Sequence, residues 1–391
     1  MRTHPTKGDL SIHALAGLVL VTIASVAFAK PYIPASDNEI LERLPYRAGD
    51  PAQRELRRLN DALRAAPNDV LLACDVARRH IEQGRATSDP RYYGYAQAAL
   101  AAWWNLPDAP TDVLVLRATL HQNQHRFERA LVDLDAVLAR HPKHAQARLT
   151  KAVVLQVRGE FNGAERECRA LARVAEPVVT ATCLAAVQSL NGELKSSYER
   201  LSRLSSQLPT TSKELRGWML SYLADMATRL GDNAAAEHHY RAALSNDGND
   251  RFMLAAYADF LLDQKRPAEV LQWLRGQERV DGLLLRIALA ERALNDAHWM
   301  ASRDLLATRF AAARLREERV HLREEARFTL WLLDQPKTAL ELALANWAVQ
   351  KEPADARLVL EASRAAGRRD AAKEISALLL AGKLEDVNLA N

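Results

Sequence analysis

Residues 114–142 read LVLRATLHQNQHRFERALVDLDAVLARHP, and one period later residues 148–177 read RLTKAVVLQVRGEFNGAERECRALARVAEP. Ala118 returns as Ala152, Phe127 as Phe161 and Ala130 as Ala164, each 34 positions on; further along, Ala224 returns as Ala258 and Asp225 as Asp259. Apolar residues recur three and four apart, as in Leu254-x3-Ala258-x2-Leu261, and no stretch sustains the alternation of a strand. Self-similarity at this period marks a stack of helical pairs, in which no single unit can bury its apolar face alone.

The residues inside the period carry a family likeness. A small residue falls in the first helix (Ala118, Ala152) and an aromatic opens the second (Phe127, Phe161). Then come Ala130-x3-Leu134 and Ala164-x3-Cys168, with Pro142 and Pro177 closing the units. Helix axes approach to about 8–10 Å only where nothing bulky intervenes, which is why the contact positions are small. The pattern resembles the tetratricopeptide repeat family. The resemblance implies an all-α, right-handed solenoid of stacked antiparallel helix pairs over roughly residues 53–380.

Following the phase outward gives the expected organisation. Residues 53–204 form an N-terminal sub-array, 205–212 (SSQLPTTS) a linker, 213–380 a C-terminal sub-array and 381–391 a tail. Gln83-Gly84 is the expected inter-helix turn of the unit holding Ala77. Ala77 to Ala118 is 41 residues, one period plus seven, and the insertion is placed at 85–95 (RATSDPRYYGY), lengthening that turn. A shorter unit is expected from Asp281. Arg91, Tyr92, Tyr93, Tyr95 and Trp103 read either as an interface, the kind of residues hot spots are built from, or as aromatics closing the end of the array.

The N-terminus speaks of compartment. Arg2 and Lys7 precede an apolar run, Leu10–Phe28, ending Ala27-Phe28-Ala29. A basic start, an apolar centre and small residues at −3 and −1 are what a signal peptidase reads, so residues 1–29 are predicted to be cleaved after Ala29, leaving 30–52 as an extended linker. An uncleaved inner-membrane anchor is the alternative, since about twenty residues just span a bilayer. Either way the repeats are expected outside the cytoplasm, periplasmic or secreted.

Net charge is only +4, and charges of both signs are interspersed along the helices. That pattern describes solvated faces and not a nucleic-acid groove. Apart from the N-terminal segment, nothing suggests membrane contact. Three cysteines leave at least one unpaired in an exported chain. Cys168 and Cys183 fall on helices that should pack side by side, and a bridge between them and a pair of free core thiols both stand open.

No catalytic signature and no cofactor motif is present, so neither an enzyme nor a cofactor is expected. His121 and His125, four apart, have a metal-ligand spacing but no evident third ligand. In the tetratricopeptide family the first helix of each pair lines a concave groove. Carrying over the outward positions after the small residue gives Arg78; Thr119 and Gln122; Val153 and Gln156; Ala186 and Ser189; Asp225 and Thr228; Asp259 and Leu262. The resemblance thus implies a groove uncharged in its first half and acidic in its second. Val115 with Thr119 and Leu149 with Val153 replace the lysine and asparagine clamp used for C-terminal carboxylates. An extended peptide or a partner helix is the expected ligand, held by a non-enzymatic scaffold. The alternative is an exported protein that handles a metal or small ligand through His121 and His125.

Overall fold

The computed structural model describes residue 36 and residues 50–207, 212–316 and 320–389. The expected leader at 1–29, most of the linker at 30–52 and the centre of the 205–212 linker lie outside the described residues. Residues 54–391 form one compact unit.

Nineteen α-helices and no strand occur among the described residues. Helix α1 (Pro51–Ala65) precedes nine pairs. The first three are α2 (Val70–Thr87) with α3 (Arg91–Ala99), α4 (Thr111–Asn123) with α5 (Phe127–Arg140), and α6 (Ala145–Val157) with α7 (Phe161–Leu171). Next come α8 (Pro177–Gln188) with α9 (Leu194–Gln207), α10 (Lys213–Leu230) with α11 (Asn233–Asn246), and α12 (Arg251–Asp263) with α13 (Pro267–Trp273). The last are α14 (Asp281–Ala293) with α15 (His298–Leu315), α16 (Leu322–Trp331) with α17 (Pro336–Trp347), and α18 (Pro353–Ala365) with α19 (Lys373–Leu380). First helices stack on first helices: α2 on α4, α4 on α6, α6 on α8, α8 on α10, then α12 on α14, α14 on α16 and α16 on α18. This is the expected all-α solenoid.

Its core is a succession of clusters and has no single centre. One runs from Ala73 to Val154, the next from Ala152 to Val187, then Val178 to Ala290, Leu284 to Leu332 and Ala326 to Leu389. The small residues of the repeat, Ala118, Ala130, Ala152, Ala164, Ala224, Ala236 and Ala258, are all buried within these clusters or at the contacts between them. The third cluster holds both Leu201 and Met219, so the core is continuous on either side of the 205–212 linker.

The turn inside each pair shows why the period is so regular. His125, Gly159, Gly192, Gly231, Lys265 and Asn295 all have left-handed φ, from 55° to 86°. The residue after each donates its N–H to the carbonyl five back (Arg126 to His121, Glu160 to Leu155, Asp232 to Ala227), at 2.8–3.1 Å. This is a Schellman closure, which satisfies carbonyls left over at the end of the first helix.

Two expectations are corrected here. Gln83-Gly84 is not a turn, because α2 continues to Thr87 and the left-handed residue is Ser88. Gly84 is instead a place of close approach: a Cβ there would stand 3.0 Å from Tyr93 Cε1. The extra residues at 85–95 therefore extend α2 and begin α3, and do not project as a loop. The unit from Asp281 is also not short, since α15 runs for 18 residues. The pattern of α15 is weak in sequence because few of its positions, Leu306, Phe310 and Ala313, are buried.

Candidate ligand-binding groove

The first helices α6, α8, α10, α12, α14, α16 and α18 line a groove of about 1700 Å³. Late segments return against early ones. Arg251 Nη1 of α12 donates to Ala86 O at the end of α2, 2.8 Å, and Lys351 N donates to Val157 O of α6, 2.7 Å.

Of the sequence-predicted positions, Gln156, Ala186, Ser189, Asp225, Thr228, Asp259 and Leu262 line this groove, while Arg78, Thr119, Gln122 and Val153 lie outside its lining. Ser189 is buried and accepts from Arg229, whose Nη1 reaches Ser189 O at 2.8 Å and Nη2 reaches Ser189 Oγ at 2.9 Å. Thr119 Oγ1 donates back to Val115 O within its own helix, and Arg78 is exposed beside Asp75.

The expected acidic half is corrected by its arginines. Asp225 pairs with Arg229 at 2.9 Å, and Asp259 with Arg286 at 2.6 Å and Arg327 at 2.9 Å. Burial opposes ionisation of Asp259, but Arg286 and Arg327 outweigh it and hold the carboxyl below its ordinary range. Arg357 forks onto Asp263, 2.5 and 2.7 Å, joining helices three pairs apart. Arg323 pairs with Glu352 and, at 2.5 Å, with Asp355. The groove thus carries a lattice of matched charges. Phe252 (72% exposed), Trp331 and Tyr222 add aromatic surface.

Sequence reasoning missed Arg286, Arg323, Arg327 and Arg357. Each occupies the first helix of a late pair, where the repeat phase is faint. The available signal was an arginine inside an apolar helical run, as in Leu283-Leu284-Leu285-Arg286-Ile287.

The two candidate metal ligands do not make a site. His121 is buried against Trp104, ring centroids 5.2 Å apart, and burial pulls its imidazole down to about 4. His125 stands at the left-handed turn position that Gly159 holds one period later, stacked on Phe127. No group of three or more His, Cys, Asp or Glu side chains is placed to hold a metal among the described residues.

The aromatic segment is folded inward for the most part. Tyr92 and Tyr95 ring His80 at 5.9 and 5.5 Å, Tyr93 covers Gly84, and Trp103 packs on the first core cluster. Arg91 bonds Asp89 at 2.7 Å, and Tyr95 remains half-exposed. The backbone after α3 is held by Arg117, which donates to Trp104 O and Leu106 O and forks onto buried Asp133. Cys168 and Cys183 are joined by a disulfide between α7 and α8, with Cα atoms 5.6 Å apart. Cys74 is free and buried, and burial pushes its thiol up to about 11.

Fold and groove together define a tetratricopeptide-like helical-repeat protein. No family model and no curated protein matches the chain. Among solved structures it is similar to a tetratricopeptide repeat protein from Parabacteroides merdae, with 18% identity, TM-score 0.42, and 66% of this chain and 91% of that one covered. It is also similar to the human IFIT1 dimer with PPP-AAAA, with 14% identity, TM-score 0.48, and coverage of 84% and 78%. Yeast Tom70 is a third, with 11% identity, TM-score 0.36, and coverage of 85% and 91%. Among the described residues no helix is long and apolar enough to cross a membrane.

Proposed function

We propose that this chain is a non-enzymatic interaction scaffold of the cell envelope that holds an extended peptide or a partner helix in its concave groove, as an assembly or accessory factor would. The observation that carries the reading is the groove's size and continuity. At about 1700 Å³ over seven successive first helices, it exceeds the roughly 300–1,000 Å³ of small-molecule pockets. A long, ridged channel of that kind fits a length of polypeptide. Its matched charges favour a ligand that also carries both signs or hydrogen-bonds through its backbone, because an unpaired charge entering the lattice would face like charge on one side.

Placement in the envelope is part of the proposal. The leader-like residues 1–29 support it, and so does the Cys168–Cys183 bridge, since disulfides persist in oxidising compartments. N-terminal sequencing of the exported species should give Lys30; a Met1 start in the membrane pellet would favour the anchored form.

The groove is tested with Phe252→Ser. Phe252 lines the groove, yet most of its surface is open, so the change should leave the melting temperature in place. Truncating an aromatic anchor typically costs more than about 1 kcal/mol of binding, so capture of an envelope partner should fall at least several-fold. Equal capture by wild type and a folded Phe252→Ser protein would move the binding surface off this groove.

A further inference from the structure

The C-terminal segment of the chain lies across one end of the groove. Leu384 and Leu389 are buried on the last core cluster, while the residues between them reach to pairs far back in sequence. Glu385 Oε2 accepts Leu194 N at the start of α9, 2.8 Å. Val387 N donates to Arg229 O, 3.0 Å, and Asn388 Nδ2 donates to Thr228 O, 3.2 Å, both at the C-terminal end of α10. Asp386 and Asn388 line the groove itself, and Asp386 turns the segment by accepting Asn388 N at 2.9 Å.

Two turn glycines make room for this segment. A Cβ on Gly192 would stand 2.9 Å from Gly382 O, and one on Gly231 3.1 Å from Val387 Cγ2. The left-handed turn alone does not demand glycine, since His125, Lys265 and Asn295 occupy the same place in other pairs. Bare turns at Gly192 and Gly231 are therefore matched to an overlying chain. The contacts themselves are those an extended peptide makes: backbone N–H to a helix-end carbonyl, a side-chain amide to the next, a carboxylate on a free N–H.

We propose that Lys383–Leu389 is an internal occupant of the groove's edge, displaced when a partner protein offers a segment of the same chemistry, carrying both signs with backbone and amide donors and a carboxylate. This rests on reading the groove as a peptide site. Tethering holds the segment at an effective concentration on the order of 1 mM, so a contact of about 100 μM intrinsic affinity stays closed and masks the site about tenfold.

The experiment uses the full chain and a labelled synthetic peptide, Lys383–Leu389. Val387→Glu with Asn388→Ala alters the tail alone and leaves Gly192, Gly231 and the carbonyls at the end of α10 intact to receive the wild-type peptide. Trypsin cleavage after Lys383 reports release. The expected result is cleavage in the variant and protection in wild type, with the peptide bound about tenfold more tightly by the variant. A peptide carrying Asp386→Lys should lose that gain. Glu385→Ala with Asn388→Ala, which removes two side-chain contacts of the tail and adds no charge, repeats the measurement if the first variant fails to fold.

A released, folded variant that binds the peptide no better than wild type overturns the proposal, and so does a variant in which Lys383 stays protected. A variant that dimerises, with the peptide dissociating the dimer, would make the occupant a second copy of this chain and also overturn it. Retained capture of an envelope partner alongside a failed peptide titration would sink only this inference and leave the groove reading intact.

Discussion

His125 and Gly159 hold the same left-handed turn position, and both meet the segment after α17: Gln350 Nε2 stands 3.5 Å from His125 Nε2, and Lys351 3.1 Å from where a Gly159 Cβ would stand. A left-handed conformation costs an ordinary residue about 1–2 kcal/mol. Gly159→Ala should therefore destabilise the protein by about that much in urea titration; an unchanged midpoint would mean the turn relaxes without strain. Protonation is the second residue-scale effect. Burial pulls His121 and His239 each down to about 4, well below the ordinary 6.5. The unfolded chain then takes up protons first as pH drops, so the stability these neutral rings lend is complete above about pH 6.5 and is lost as pH falls towards 4. The melting temperature should decline across that window, and less steeply in His121→Leu, His239→Leu. A double variant with the wild-type slope would assign the acid sensitivity to other groups.

At the scale of elements, the order of importance among ion pairs follows burial. Arg117 and Asp133 have side chains 9% and 6% exposed, and the guanidinium also holds the carbonyls of Trp104 and Leu106. Removing one member leaves a charge without its partner in the core, so Arg117→Ala should cost about 3–5 kcal/mol and loosen the connection from α3 to α4. Arg169, 65% exposed and paired with Glu165 one turn away, offers the contrast. Its replacement by alanine should cost no more than about 0.5 kcal/mol. Chemical denaturation of the two variants side by side checks this, and similar losses from both would show that solvent reaches the Arg117 pair.

The whole molecule departs from a simple linear array. In a solenoid each repeat touches only its neighbours, and stability is close to a sum of local terms. Here Arg357 of α18 grips Asp263 of α12, Lys351 bonds Val157, and Val387 bonds Arg229, so the array is fastened to itself. Local perturbation should then travel. Arg357→Ala is expected to speed amide exchange in the last turn of α12 as well as in α18. Exchange that changes only within the last two pairs would show that the fastening adds nothing to α12.

How much of this was legible follows from particular residues. Period, helix pairs and buried small residues were written in Ala118, Ala152, Phe127 and Ala164, because a repeat must satisfy the same local packing each time and so repeats its residues. The turn position was legible at Gly159 and Gly231, but hidden at His125, Lys265 and Asn295, where side-chain identity does not betray the backbone. Half of the groove followed from the same phase, through Gln156, Asp225 and Asp259. The arginines that neutralise it did not, since Arg286, Arg327 and Arg357 meet their acids across gaps of 27, 68 and 94 residues. The first gap is spanned by neighbouring pairs; the other two close only where α16 and α18 come back to α12, two and three pairs away. The sequence by itself determined what each pair is. The tertiary structure alone decided which distant pairs meet, how the groove is charged, and where the C-terminal segment comes to rest, because those depend on the summed geometry of successive pairs, which no local pattern encodes.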